Sequence, residues 1–163
     1  MEYQRDHFSI CHLKGFFYRC GIWLLAVVQK KQLLKEWQEI KIADHLRAMG
    51  ARNTAIRLSS CVATKTENRR NQFWAYQVHA TSLQYVYRYP ESEKHFQKAL
   101  QLADELERSF ALQHYGKSLV EQHRHIEAKA VLKEALEIRR KLKQSKLVQS
   151  TEIALAHLKS STA

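Results

Sequence analysis

The strongest constraint on this chain is that it repeats itself. HIEAKAVLKEALEIRRKL (His125–Leu142) lies 36 residues after YPESEKHFQKALQLADEL (Tyr89–Leu106). The two share Glu91/Glu127, Ala99/Ala135, Leu100/Leu136 and Leu106/Leu142, and Ser92/Ala128, Phe96/Leu132 and Leu102/Ile138 match in size. A period in this range is the signature of stacked structural units. Each copy follows a second amphipathic stretch. Tyr76, His79, Ala80 and Leu83 recur three and four apart, and Leu112, Tyr115, Gly116 and Leu119 repeat that pattern 36 residues on. This spacing predicts one apolar helix face. Each unit is therefore read as two antiparallel helices joined by a short turn.

Composition agrees. The chain has 163 residues with 4 Gly and 1 Pro, too few turn residues for a many-stranded sandwich or barrel. At 45% hydrophobic it can bury a core. Ala80 and Gly116 carry little or no side chain and face Ser92 and Ala128, so the paired helices are expected to approach closely there. Phe96 and Leu132 would fill the space alongside. Separation of Ala80 from Ser92 or of Gly116 from Ala128, or a strand between 73 and 142, would contradict this reading.

The pattern resembles the tetratricopeptide repeat, whose first helix carries a large residue, a large–small pair and a large residue. Its second helix carries a small residue, a large one and alanine. Tyr76, His79-Ala80, Leu83, Ser92, Phe96 and Ala99 match in one unit; Leu112, Tyr115-Gly116, Leu119, Ala128, Leu132 and Ala135 match in the next. His79 is an unusual occupant of an apolar place, and the proline that often closes such units is absent. The long ALQLADEL and ALEIRRKL endings resemble variants with extended second helices, found in bacterial regulators and motor-adaptor proteins. The resemblance implies an all-α, right-handed superhelix of helical hairpins with a C-terminal capping helix.

A weaker copy lies upstream. Ile42-Ala43 and Leu46 are followed by Gly50 as turn, then Ala55 and Val62, with Ser59 in the place of the large residue. A still fainter copy takes Gly15 as turn and Cys20, Leu24 and Val27 as small, large, small. The resulting organisation is one array over 1–163: a degenerate unit (1–34), units at 35–70, 73–106 and 109–142, and a capping helix at 146–159, where Val148, Leu155 and Leu158 form an apolar stripe. CGIWLLAVV (Cys20–Val28) is the most apolar window. At nine residues it is shorter than the roughly 20 that span a bilayer, so it is expected to be a buried core helix, with no membrane contact. A homodimer through this N-terminal apolar helix is a further expectation if its face lacks cover.

No catalytic signature is present: no GxSxG, HExxH, phosphate-binding glycine loop or DxDxDG. The chain is read as a non-enzyme with no cofactor and no metal site. His123 and His125 flank Arg124 without a nearby third ligand, and His45, Asp44 and Cys61 show no ligand spacing. Cys11, Cys20 and Cys61 are too few for a disulfide framework and fit a reducing, cytoplasmic setting.

Function is then expected from surface. Stacked units curve and their first helices line a concave wall. Three sets of residues are assigned to this groove: the column Trp37, Trp74 and Phe110, the column Gln77, Gln113 and Gln149, and the polar set Lys41, Asp44, Arg47, Thr81, Gln84 and Lys117. Rings would take apolar side chains of a bound segment and amides its backbone groups. The same rings also fit packing between hairpins, and the glutamines a solvated face. Some family members hold a peptide carboxylate with lysines and asparagines; here no asparagine stands at matching places. The net charge of +11, distributed as +4 over 1–35, +3 over 36–72, −1 over 73–108 and +5 over 109–163, favours an acidic protein or peptide partner. The cluster Arg139, Arg140, Lys143 and Lys146 fits helix-end electrostatics or phosphate contact. The leading function is a scaffold or adaptor that receives a partner segment. The alternative is a regulatory peptide-sensing or nucleic-acid-associated repeat domain of the bacterial-regulator type.

Overall fold

The computed structural model describes residues 8–160, all of whose regular elements are α-helices. Of the described residues, 8–102 form one compact unit, and 103–160 belong to a second. The division falls inside the span read as one continuous array. The first unit holds α1 (Ile10–Val28), α2 (Gln32–Ala48), α3 (Arg52–Lys65), α4 (Arg69–Tyr85) and α5 (Tyr89–Leu102). The second holds α6 (Glu105–Glu121), α7 (His125–Lys141) and α8 (Ser145–Ser160).

Local chemistry sets the ends. Ser9 caps α1, Asn68 caps α4, and Asp104 and Glu107 form a reciprocal capping box on α6. Five of the links turn through a left-handed residue: Lys30, Gly50, Tyr87, His123 and Lys143. In each, the following amide bonds back to the carbonyl five residues earlier, as in Arg88 N to Leu83 O (3.0 Å) and Arg124 N to Leu119 O (3.0 Å). These are Schellman closures. The residues inside the three hairpins, Gly50, Tyr87 and His123, recur at the period of the repeat.

In the first unit, neighbouring helices pack in order and α2 also meets α4. Ile40, Ala43, Val62, Ala63, Ala75 and Val78 form a core cluster. Ser92 lies against Ala80, its Oγ donating to the Ala80 carbonyl at 2.8 Å, with Phe96 fully buried beside them. The second unit repeats the contact: a Cβ placed on Gly116 would lie 2.6 Å from Leu132 Cγ and 3.6 Å from the Ala128 carbonyl. Both close approaches are as the repeat demands, and no strand occurs among the described residues. A polar lock ties the start of α2 to the α3–α4 link. Glu36 accepts from Thr66 Oγ1 (2.6 Å), Gln32 Nε2 (2.8 Å) and Asn71 Nδ2 (3.2 Å). Burial alone would raise the Glu36 carboxyl, but these three donors hold it below its ordinary value.

The N-terminal expectation needs correction. Gly15 is not a turn, because α1 runs unbroken through it. It is a glycine because a Cβ there would meet His45 Cε1 at 2.5 Å. Nor is Cys20–Val28 a core helix: Ala26 is its one buried residue. The part of the degenerate unit over 1–7 lies outside the described residues.

Candidate functional site

On the first unit, α2 and α4 bring two of the predicted rings together. Trp37 and Trp74 meet edge to face, with centroids 6.4 Å apart and planes at 78°. Phe73, fully buried, supports Trp74 from behind at 4.9 Å. Two cations cover the pair. Lys41 Nζ lies 5.2 Å from the Trp37 centroid and 5.8 Å from that of Trp74; the Arg70 guanidinium lies 5.4 Å from Trp37. The helical spacing explains this: Trp37 and Lys41 are one turn apart on α2, and Arg70 and Trp74 are one turn apart on α4. The rings are half-buried and Arg70 is exposed. Among the described residues neither Lys41 nor Arg70 has an ion-pair partner, so the corner is a cationic aromatic surface.

Gln77 follows Trp74 by three residues. It is 3% exposed, and neither its Oε1 nor its Nε2 finds a hydrogen-bond partner. Thr81 is buried one turn on and spends its hydroxyl on the Gln77 carbonyl (2.9 Å). Gln84 is buried too. Arg47 is held inside by Asp44 (2.7 Å) and lies over Tyr85 at 4.8 Å, which makes it part of the packing.

In the second unit, one expected groove residue, Gln113, serves the interior together with Arg139. Arg139 is 2% exposed and donates to Gln113 Oε1 (2.9 Å), Thr151 Oγ1 (2.6 Å), the Leu147 carbonyl (3.2 Å) and Ser109 Oγ (3.3 Å). Its guanidinium sits 5.4 Å from the Phe110 centroid. Burial lowers its pKa to about 10. Arg139 is thus removed from the surface basic patch to which the sequence assigned it; it pins α8 to α6 and α7. Gln113 is likewise committed, with Nε2 reaching Ser150 at 3.4 Å. Of the remaining patch, Arg140 pairs with Glu152 (2.7 Å), while Lys143 and Lys146 are exposed. Lys117 is half-buried on α6 and Gln149 is exposed on α8. A groove of about 600 Å³ runs between α7 and α8, floored by Leu136, Leu155 and Leu158 and edged by Lys129 and Lys133.

Sequence reasoning missed a ring cluster in the first unit. His79 Nδ1 lies 3.2 Å from Ser59 Oγ and 3.1 Å from the Ile56 carbonyl, and its ring meets His95 at 4.4 Å. His95 stacks on Tyr76, over which Lys98 lies at 5.3 Å. Burial, reinforced by His79 and Lys98 and opposed by Glu91, brings His95 down to about 4; burial also lowers His79. The signal was there as a pair of departures: Ser59 is small where the pattern wants bulk, and that vacancy admits the His79 ring. Among the described residues no group of three His, Cys, Asp or Glu converges to hold a metal; His123 and His125 lie ring to ring at 5.9 Å.

The tetratricopeptide repeat family model matches residues 71–141, which run from α4 through α7. Over residues 71–141 the chain is similar to the tetratricopeptide repeat family. No curated protein matches the chain. Tetratricopeptide repeats are generally protein–protein interaction modules and typically non-catalytic scaffolds.

Proposed function

We propose that the protein is a non-catalytic adaptor whose α2–α4 corner captures an acidic, extended segment of a partner protein. The observation that carries this reading is the pair of cations without ion-pair partners, Lys41 and Arg70, lying over the half-buried Trp37–Trp74 rings. Such a surface attracts carboxylates by charge and apolar side chains by its rings. The burial of Arg139 and the Arg140–Glu152 pair weaken the nucleic-acid alternative, since a phosphate-binding patch needs free cations. The three free cysteines fit a cytoplasmic setting.

Affinity selection from a random peptide library tests the reading. The wild type should enrich acidic peptides carrying one or two large apolar residues. Lys41→Glu with Arg70→Glu should lose those peptides by at least tenfold in affinity, about 1.4 kcal/mol, and enrich basic ones instead. Selection indifferent to the two charge reversals would overturn the assignment.

A further inference from the structure

α1 is built inside out. Its polar side chains face the protein: His12 meets His45 at 3.4 Å, Arg19 donates to Gln38 (3.4 Å), and Trp23 Nε1 donates to Glu39 (3.1 Å). Gly15 and Ala26 complete that inner line. At 100° per residue the opposite line runs Ile10, Phe17, Leu24 and Val28, with Leu13, Gly21 and Leu25 beside it. These large residues are exposed, Phe17 by 64%, Leu24 by 57% and Val28 by 78%. Lys14 is the one charged residue on that outer side.

The exposed area decides what kind of cover such a face calls for. With Tyr18 included, the large residues of α1 present on the order of 700 Å² of apolar surface, more than the 300–600 Å² typical of a monomer's largest patch. It approaches the roughly 800 Å² that each partner contributes to a stable interface. Gly21 lies at the centre of the patch, with nothing within 4 Å of where its Cβ would stand. An exposed mid-helix glycine costs about 1 kcal/mol relative to alanine. Flanked by Phe17, Leu24 and Leu25, it makes a notch that lets a second helix come close.

We infer that α1 is a homodimerisation helix that crosses α1 of a second copy at Gly21. An antiparallel crossing with its two-fold axis at Gly21 sets Phe17 of each copy against Leu25 of the other, and Tyr18 against Leu24. The two Lys14 side chains then sit at opposite ends, about 20 Å apart by helical rise and beyond the screening length. The interface is isologous and closes at two copies. α1 is also long and apolar enough to cross a membrane by length and composition. Crossing in this conformation would draw Glu39 of α2 into hydrocarbon along with Trp23, its hydrogen-bonding partner.

Sedimentation equilibrium of the full chain over the micromolar range tests the inference. The wild type should be a dimer. Leu24→Glu should weaken association at least tenfold. Gly21→Leu should do the same while leaving the unfolding midpoint, measured at a concentration low enough that both proteins are monomers, equal or higher, because the monomer has open space there. A monomer at every concentration would overturn the inference, as would self-association indifferent to both substitutions. Vesicles of neutral phosphatidylcholine and of anionic phosphatidylglycerol supply the other arm. A protein monomeric in buffer that binds either vesicle through Leu24 assigns the face to lipid and overturns the dimer.

Discussion

Gly116→Ala separates the packing argument from ordinary helix propensity. In an exposed helix the change stabilises by about 1 kcal/mol. Here the new methyl would stand 2.6 Å from Leu132 Cγ and 2.8 Å from its Cδ2. Leu132 is fully buried, so a rotation that carried its Cγ away from the new methyl would drive the side chain into the packed interior. Overpacking of this kind costs about 1–3 kcal/mol. The net expectation is a loss of about 1 kcal/mol. Leu132→Ala alone should cost about 2–5 kcal/mol as a cavity. In that background the clashing atoms are gone, so adding Gly116→Ala should stabilise by up to about 1 kcal/mol. The sign reversal amounts to a coupling of about 2 kcal/mol. Urea unfolding followed by far-ultraviolet circular dichroism reads all four proteins. Gly116→Ala stabilising the wild type, or acting equally in both backgrounds, would refute the close helix approach on which the hairpin reading rests.

Arg139→Ala should cost about 3 kcal/mol, because Gln113, Thr151 and Ser109 lose their shared donor; hydrogen exchange should show α8 released first, and unchanged protection of α8 would contradict its pinning role. Lys143→Gly should stabilise by about 0.5–1 kcal/mol, since residue 143 holds φ +54° without glycine's freedom; a lower urea midpoint would count against the strain. His95 and His79 bind protons less readily folded than unfolded, so the unfolded state takes up more protons below its own value near 6.5. Stability should therefore fall as pH drops from about 6.5 towards 4. His95→Phe should flatten that slope, and an unaltered slope would place the titration elsewhere.

The parts of the fold legible in the sequence are those where one physical demand leaves one residue type. Helices that touch at their backbones need Ala80 against Ser92 and Gly116 against Ala128, and the period followed from them. Trp37 and Trp74 were placed on one column because repeats transmit register. Other demands leave ambiguous marks. Gly15 looks like a turn, yet the space it leaves is taken by the ring of His45, 30 residues away. Lys30, Tyr87, His123 and Lys143 adopt the left-handed conformation without glycine, so four turns carried no signal. Arg139 was read with its basic neighbours, although Leu132, Leu136 and Arg139 share one helical stripe and that spacing pointed inward. The outer face of α1 was read as core because apolar residues were assumed to face the protein; its polar residues do so instead.

Hydrogen exchange of the protein with a selected acidic peptide tests the central claim most directly. Protection is expected on α2 around Trp37–Lys41 and on α4 around Arg70–Thr81, and it should vanish in Lys41→Glu with Arg70→Glu. Protection confined to the α7–α8 groove, with α2 and α4 unchanged, would show that the tryptophan corner is not where this protein meets its partner.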